Sequence, residues 1–293
     1  MDKAKPIYLH AGAHRTGTSS FQLMLARNRA AITEAGFGLA YPGRDGIPEG
    51  DLGLRLPSPR NADQAVTRFV PSVRDELGRH QRARGLILSE ENLPGRMIHF
   101  AAGKFYPAAE ARFLTLARAA EAPIARVLLV VRGYADLYVS SFRKRAEDNL
   151  VDPFNDGRPR MMRMDRGWPE LVALMQKTLQ PRAFTVVEYG RRGTSTGLLQ
   201  HLVPELASLD LTEPQRTLNR SATDAGLLAL QEVYAQGRTL ERAEWQTIID
   251  RHRDDTEPRG FSAFKPRQLV RLRDRYAADL DRLAEMPGVT LLR

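Results

Sequence analysis

The chain of 293 residues carries 44 Lys and Arg against 35 Asp and Glu, a formal charge of +9, and is 42% hydrophobic. That balance is ordinary for a globular protein, and the length is ample for a buried core in one large α/β domain or two small ones. The chain has no cysteine, which excludes disulfides, Cys-ligated zinc and iron–sulfur clusters.

No apolar run approaches the about 18 residues of a membrane span, and the opening "MDKAKPIYLHAG" lacks the apolar stretch of a signal peptide. A soluble, cytoplasmic protein with no membrane partner is expected. Only six of the 44 basic residues are lysines. Arginine suits forked contacts with phosphate and sulfate. No basic block interleaves with aromatics, so nucleic acid is not expected as a partner. A polyanionic small ligand or a solvated basic surface fits the charge.

In chain order, "PIYLHAG" (6–12) reads as a buried strand running into a turn on Gly12 and Gly17. A helix follows over 16–35, with Phe21, Met24, Leu25 and Ile32 on one face and Gly36 as its stop. The segment 41–60, rich in Pro, Gly and Asp, reads as a surface loop. A helix over 63–84 leads to the strand "GLILSE" (85–90), and "RVLLVV" (126–131) is the third strand. Helices are expected over 134–149 and 168–179, separated by a substrate-side loop or lid at 148–168. "AFTVVEY" (183–189) is the fourth strand. From Ser221 to residue 293 the pattern is mostly helical, with a cap expected at Ser221 and a long amphipathic helix over 266–286. Near-continuous apolar strands alternating with helices predict an α/β fold with a central parallel sheet covered on both faces. No repeat divides the chain, so residues 1–293 read as one domain with a helical C-terminal part.

The strand–turn–helix at 7–22 is a phosphate cradle in form, because a helix N-terminus points unpaired N–H groups and a positive dipole end at an anion. The spacing Gly12-x-x-x-x-Gly17 matches the NTPase loop G-x-x-x-x-G-K-[ST], and Ser19 stands at its Mg²⁺-ligand position. Thr18 occupies the lysine position, however, and no apolar strand ends in the Asp that should hold Mg²⁺. A P-loop kinase or NTPase is therefore the second reading. The histidines show no ligand spacing, so no metal is expected.

"AHRTGTSSFQ" resembles the 5′-phosphosulfate loop of sulfotransferases that use 3′-phosphoadenosine-5′-phosphosulfate (PAPS), especially the bacterial and glycan-modifying branches. Thr16-Gly17-Thr18 and Gln22 match that pattern, and Arg15 stands where the family has lysine. "VLLVVRGYADLYVSSF" resembles the family's 3′-phosphate site, with Arg132 ending a central strand and Ser140 eight residues on. Asp136 agrees with the pattern there, while Gly133 and Tyr134 depart from it. "LILSEENL" resembles the family run S-S-E-N, which makes Glu91 the expected general base and Glu90 the alternative.

The resemblance implies a P-loop-containing, three-layer sulfotransferase fold and sulfuryl transfer from PAPS to a hydroxyl or amine of a small molecule or glycan. The implied donor-binding residues are His14, Arg15, Thr16, Gly17, Thr18, Ser19, Arg132 and Ser140, with Arg15 and Glu91 catalytic. From the residues alone His14 reads first as a packing or surface histidine and second as a sulfate contact, and Tyr189 as a nucleotide neighbour or a core aromatic. "LNRS" (218–221) resembles an Asn-x-Ser segment that precedes the C-terminal helices in many bacterial members, and reads either as a nucleotide or acceptor contact or as the helix cap at Ser221. A nucleotide-binding relative without turnover is the third reading.

Overall fold

The computed structural model describes residues 5–60, 62–215 and 221–293. Six strands, β1 (Ile7–His10), β2 (Phe37–Ala40), β3 (Gly85–Ser89), β4 (Ile124–Val131), β5 (Ala183–Glu188) and β6 (Val289–Leu292), form one sheet in the order β2-β3-β1-β4-β5-β6. Every pairing is parallel, with Leu9 of β1 opposite Leu88 on one side and Val127 on the other. The helices among the described residues are α1 (Thr18–Arg27), α2 (Arg29–Glu34), α3 (Ala62–His80), α4 (Ala109–Ala119), α5 (Tyr134–Ala146), α6 (Phe154–Met161), α7 (Trp168–Leu179), α8 (Ser195–Leu202), α9 (Asp224–Ala235), α10 (Arg242–Arg251) and α11 (Pro266–Glu285).

The strand period of two sorts the core into layers. Along β4, Leu128 and Val130 pack with Phe21, Met24 and Leu25 of α1 and with Leu198 and Leu199 of α8. Their neighbours Val127, Leu129 and Val131 pack with residues of α4, α5, α7 and α11. The result is a three-layer α/β fold, the central parallel sheet covered on both faces that the alternating pattern predicts. A smaller cluster of Ala146, Leu227, Leu230, Tyr234 and Trp245 seats α9 and α10 against the end of α5.

The chain leaves β1 towards β2 on one side of the sheet and leaves β4 towards β5 on the other. The carboxyl ends of β1 and β4 therefore lie side by side where the strand order reverses, the place where open parallel sheets form a ligand crevice.

Several elements differ from the sequence reading. The short edge strands β2 and β6, and α4 and α6, are additional. The expected helix over 16–35 breaks at Asn28, because its side chain is drawn sideways. Nδ2 donates to the Met24 and Thr212 carbonyls, and Oδ1 accepts from the Thr212 N–H. The cap of α9 is Thr223, whose hydroxyl accepts the Gly226 N–H at 3.1 Å, rather than Ser221. No helix of the described residues is long and apolar enough to cross a membrane.

Candidate active site

The β1–α1 loop is held to the sheet by its backbone. Ala11 N–H and Ala13 N–H donate to the Leu128 and Val130 carbonyls at 3.0 and 3.1 Å, and Val130 N–H returns a bond to Gly12 at 2.7 Å. Two positions require glycine. Gly12 has φ +82°, and a Cβ there would sit 3.0 Å from the Glu91 Cα. Gly17, at φ +88°, caps α1 while the Arg192 guanidinium lies 3.0–3.2 Å from where its Cβ would be. At each, a side chain meets a left-handed backbone and a crowded neighbour together.

The loop hydroxyls divide. Thr16 and Thr18 both donate to the Ala13 carbonyl, at 2.6 and 3.1 Å, which folds the loop on itself. Thr18, Ser19 and Ser20, at the first turn of α1, line a cleft, while Thr16 is buried beneath it. The N–H groups of that turn have no carbonyl four residues back to receive them. Below the loop, the His10 Nδ1 meets the Ser89 hydroxyl at 2.8 Å, and Gln22 donates to the Ser89 carbonyl at 3.2 Å. Gln22 thus ties α1 to the end of β3. Burial, reinforced by Arg192, pushes the His10 pKa down to about 3, so this ring is neutral.

The second cationic feature arrives from β4. Arg132 follows its last residue and donates Nη1–H to the Arg15 carbonyl at 2.8 Å. Its guanidinium lies over the Tyr189 ring, 4.8 Å from the centroid, and its carbonyl accepts from the Trp168 indole at 3.0 Å. Its Nε is buried with no hydrogen-bond partner among the described residues. Arg15 in turn donates Nε–H to the Ser140 hydroxyl at 2.8 Å. The loop, the β4 end and α5 are thereby joined by two direct bonds.

These groups surround one cleft of about 460 Å³, whose lining includes His14, Arg15, Gly17, Thr18, Ser19, Glu91, Arg132 and Ser140. The two acids after β3 part company. Glu90 is 2% exposed, with its oxygens on Arg44 at 2.9 and 3.0 Å and on the Asn92 N–H at 2.7 Å. Glu91 borders the cleft. His14 also borders it, but both ring nitrogens already have partners, Asn92 Oδ1 at 2.9 Å and the Tyr106 hydroxyl at 3.3 Å. Tyr189 is 38% exposed and lines the cleft beside Arg132, so it is not a core aromatic. Ser221 reaches the cleft wall, whereas Asn219 of the Asn-x-Ser segment lies outside the described residues.

Sequence reasoning missed Arg192, Lys144 and Glu213, which also line the cleft. Arg192 follows β5 and donates to the Ser195 hydroxyl at 3.1 Å, and its Nε too is buried without a partner among the described residues. Its signal was an arginine just past a strand's carboxyl end. Lys144 stands four residues beyond Ser140 on α5, hence on the same helical face, and pairs with Glu147 at 2.7 Å. Glu213 accepts from the Ser195 and Thr196 N–H groups at 2.8 and 2.9 Å, and these bonds hold its pKa below the usual carboxylate value despite the opposing effect of burial. A residue so far along the chain from the loop leaves no local sequence signal.

No protein-family model and no curated protein matches the chain. Among solved structures, a sulfotransferase from Alicyclobacillus acidocaldarius is similar at 14% identity and TM-score 0.34, over 83% of this chain and 99% of that one. That likeness is remote.

Proposed function

We propose that the protein transfers a sulfuryl group from PAPS to a hydroxyl or amine acceptor. The observation that carries this reading is the joining of two anion-binding features in one cleft. The α1 N-terminus with Arg15, and the strand-end Arg132 with Ser140, are linked by the Arg132–Arg15 and Arg15–Ser140 bonds at 2.8 Å each. A donor with phosphate groups at both its 3′ and 5′ ends needs two such features in one cleft. A nucleoside triphosphate, with its phosphates in a single chain, needs one.

In the proposed reaction, Gly17 to Ser20 hold the 5′-phosphosulfate, while Arg132 and Ser140 hold the 3′-phosphate. The acceptor oxygen or nitrogen forms its bond to sulfur as the bond from sulfur to the bridging oxygen breaks. The acceptor proton passes to Glu91, and the electron pair stays on the bridging oxygen as 3′,5′-ADP leaves. Arg15 stabilises the charge that grows on that oxygen. Its guanidinium acts through charge rather than by giving up a proton.

A thermal-shift and calorimetry panel of 3′,5′-ADP, 5′-AMP, ATP and PAPS tests the reading, together with the release of 3′,5′-ADP from PAPS in the presence of acceptors. Tighter binding of 3′,5′-ADP than of 5′-AMP or ATP is expected. A preference for ATP would replace the proposal with a kinase or NTPase, and tight 3′,5′-ADP binding without any transfer would leave a nucleotide-binding relative.

A further inference from the structure

Glu91 does not face the donor cleft alone. Together with His14, Met97 and Lys144 it also lines an adjoining hollow of about 200 Å³. These four residues are common to both linings, so a compound seated in the hollow lies beside the carboxylate that also borders the cleft.

The hollow is part polar and part apolar, with Arg96, Lys144 and Arg145 as its cations and Glu91 and Asp148 as its carboxylates. Arg96, in the segment after β3, and Arg145, near the end of α5, both border it and are both exposed. Neither guanidinium has a hydrogen bond or ion pair to a described residue, which distinguishes them from Lys144, already paired with Glu147 at 2.7 Å. The hollow's remaining acid, Asp148, accepts from the Asn149 side chain. Two forked cations on different elements that border one hollow are suited to a carboxylate, phosphate or sulfate. They lie around the same hollow as the carboxylate that would take a proton.

We infer that the hollow is the acceptor subsite and that the acceptor is an anion: a hydroxyl- or amine-bearing compound whose carboxylate, phosphate or sulfate is gripped by Arg96 and Arg145 while its nucleophile meets Glu91. This rests on the sulfuryl-transfer reading. It adds the acceptor class, which the loop and the β4 site leave open.

The test uses the whole chain with its donor cleft saturated by 3′,5′-ADP, so that added anions cannot occupy the phosphate sites. Methyl glucuronate, methyl phosphate and the neutral methyl glucoside are titrated in by calorimetry. At least one anion should bind saturably and about tenfold or more tighter than the glucoside, as expected for charge-assisted contacts. The stronger of the two identifies an acidic sugar or a phosphorylated compound. The Arg96→Ala/Arg145→Ala double variant should lose roughly ten- to hundredfold in that affinity while binding 3′,5′-ADP as the parent does. No saturable anion binding, or unchanged binding in the double variant, overturns the subsite and marks both arginines as a solvated rim. Failure of the parent to bind 3′,5′-ADP at all overturns the donor reading instead, and the subsite falls with it.

Discussion

Replacing Arg132 by alanine separates a ligand contact from a structural one. In the protein, one Nη1–H is committed to the Arg15 carbonyl at 2.8 Å, and the ring of Tyr189 lies under the guanidinium at 4.8 Å. Losing that hydrogen bond and the cation–π contact should destabilise the fold by about 1–2 kcal/mol. The buried Nε has no partner among the described residues, and in the proposed reaction Arg132 donates to the 3′-phosphate. A charge-assisted bond is worth about 1.5–3 kcal/mol, so Arg132→Ala should weaken 3′,5′-ADP binding by roughly ten- to hundredfold. Calorimetry with 3′,5′-ADP and 5′-AMP reads the difference. Because 5′-AMP lacks the 3′-phosphate, its affinity should change by less than about threefold, or about 0.6 kcal/mol. If both ligands weaken equally, Arg132 acts by shaping the loop through the Arg15 carbonyl, and the assignment of a 3′-phosphate site is wrong.

Glu91→Gln should preserve 3′,5′-ADP affinity and lower turnover by about 10²–10⁴-fold, the range for a lost general base. Glu90→Gln should instead lower the melting temperature by loosening the Arg44 pair, and a turnover defect confined to Glu90→Gln would move the base by one residue. Arg15→Ala should cost far more in rate than in nucleotide affinity, with Arg15→Lys retaining measurable transfer, because its charge matters most as the S–O bond breaks. Parent-like turnover by Arg15→Ala refutes that role. For His10, the folded pKa of about 3 lies below the unfolded value of 6.5, so the unfolded chain binds more protons between these limits. Its stabilising contribution is therefore complete above pH 6.5 and is lost as pH falls towards 3, by up to about 1.4 kcal/mol per unit. Denaturant titrations of the parent and of His10→Gln should show that added slope in the parent, and identical slopes would refute it.

The residue pattern alone determined the α/β class, the β1–α1 loop and the Arg132…Ser140 spacing. Each is encoded locally: apolar runs mark buried strands, glycine marks a left-handed turn, and a strand end followed by a helix sets a fixed offset. The helix read over 168–179 coincides with α7 for the same reason, since a Gly-Trp-Pro start and a periodic apolar face lie within one segment. The edge strands β2 and β6 were hidden because four residues without alternation carry no periodic signal, and only pairing with β3 and β5 makes them strands. Adjacency in sequence could not divide Glu90 from Glu91. Arg44, 46 residues away, claims the first and leaves the second on the cleft. Arg192, Lys144 and Glu213 likewise became part of the site only when α8 packed beside α1 and α5 followed β4 across the sheet. Local chain geometry is written in neighbouring residues, but which charges meet in a cleft depends on elements that approach only once the sheet has assembled.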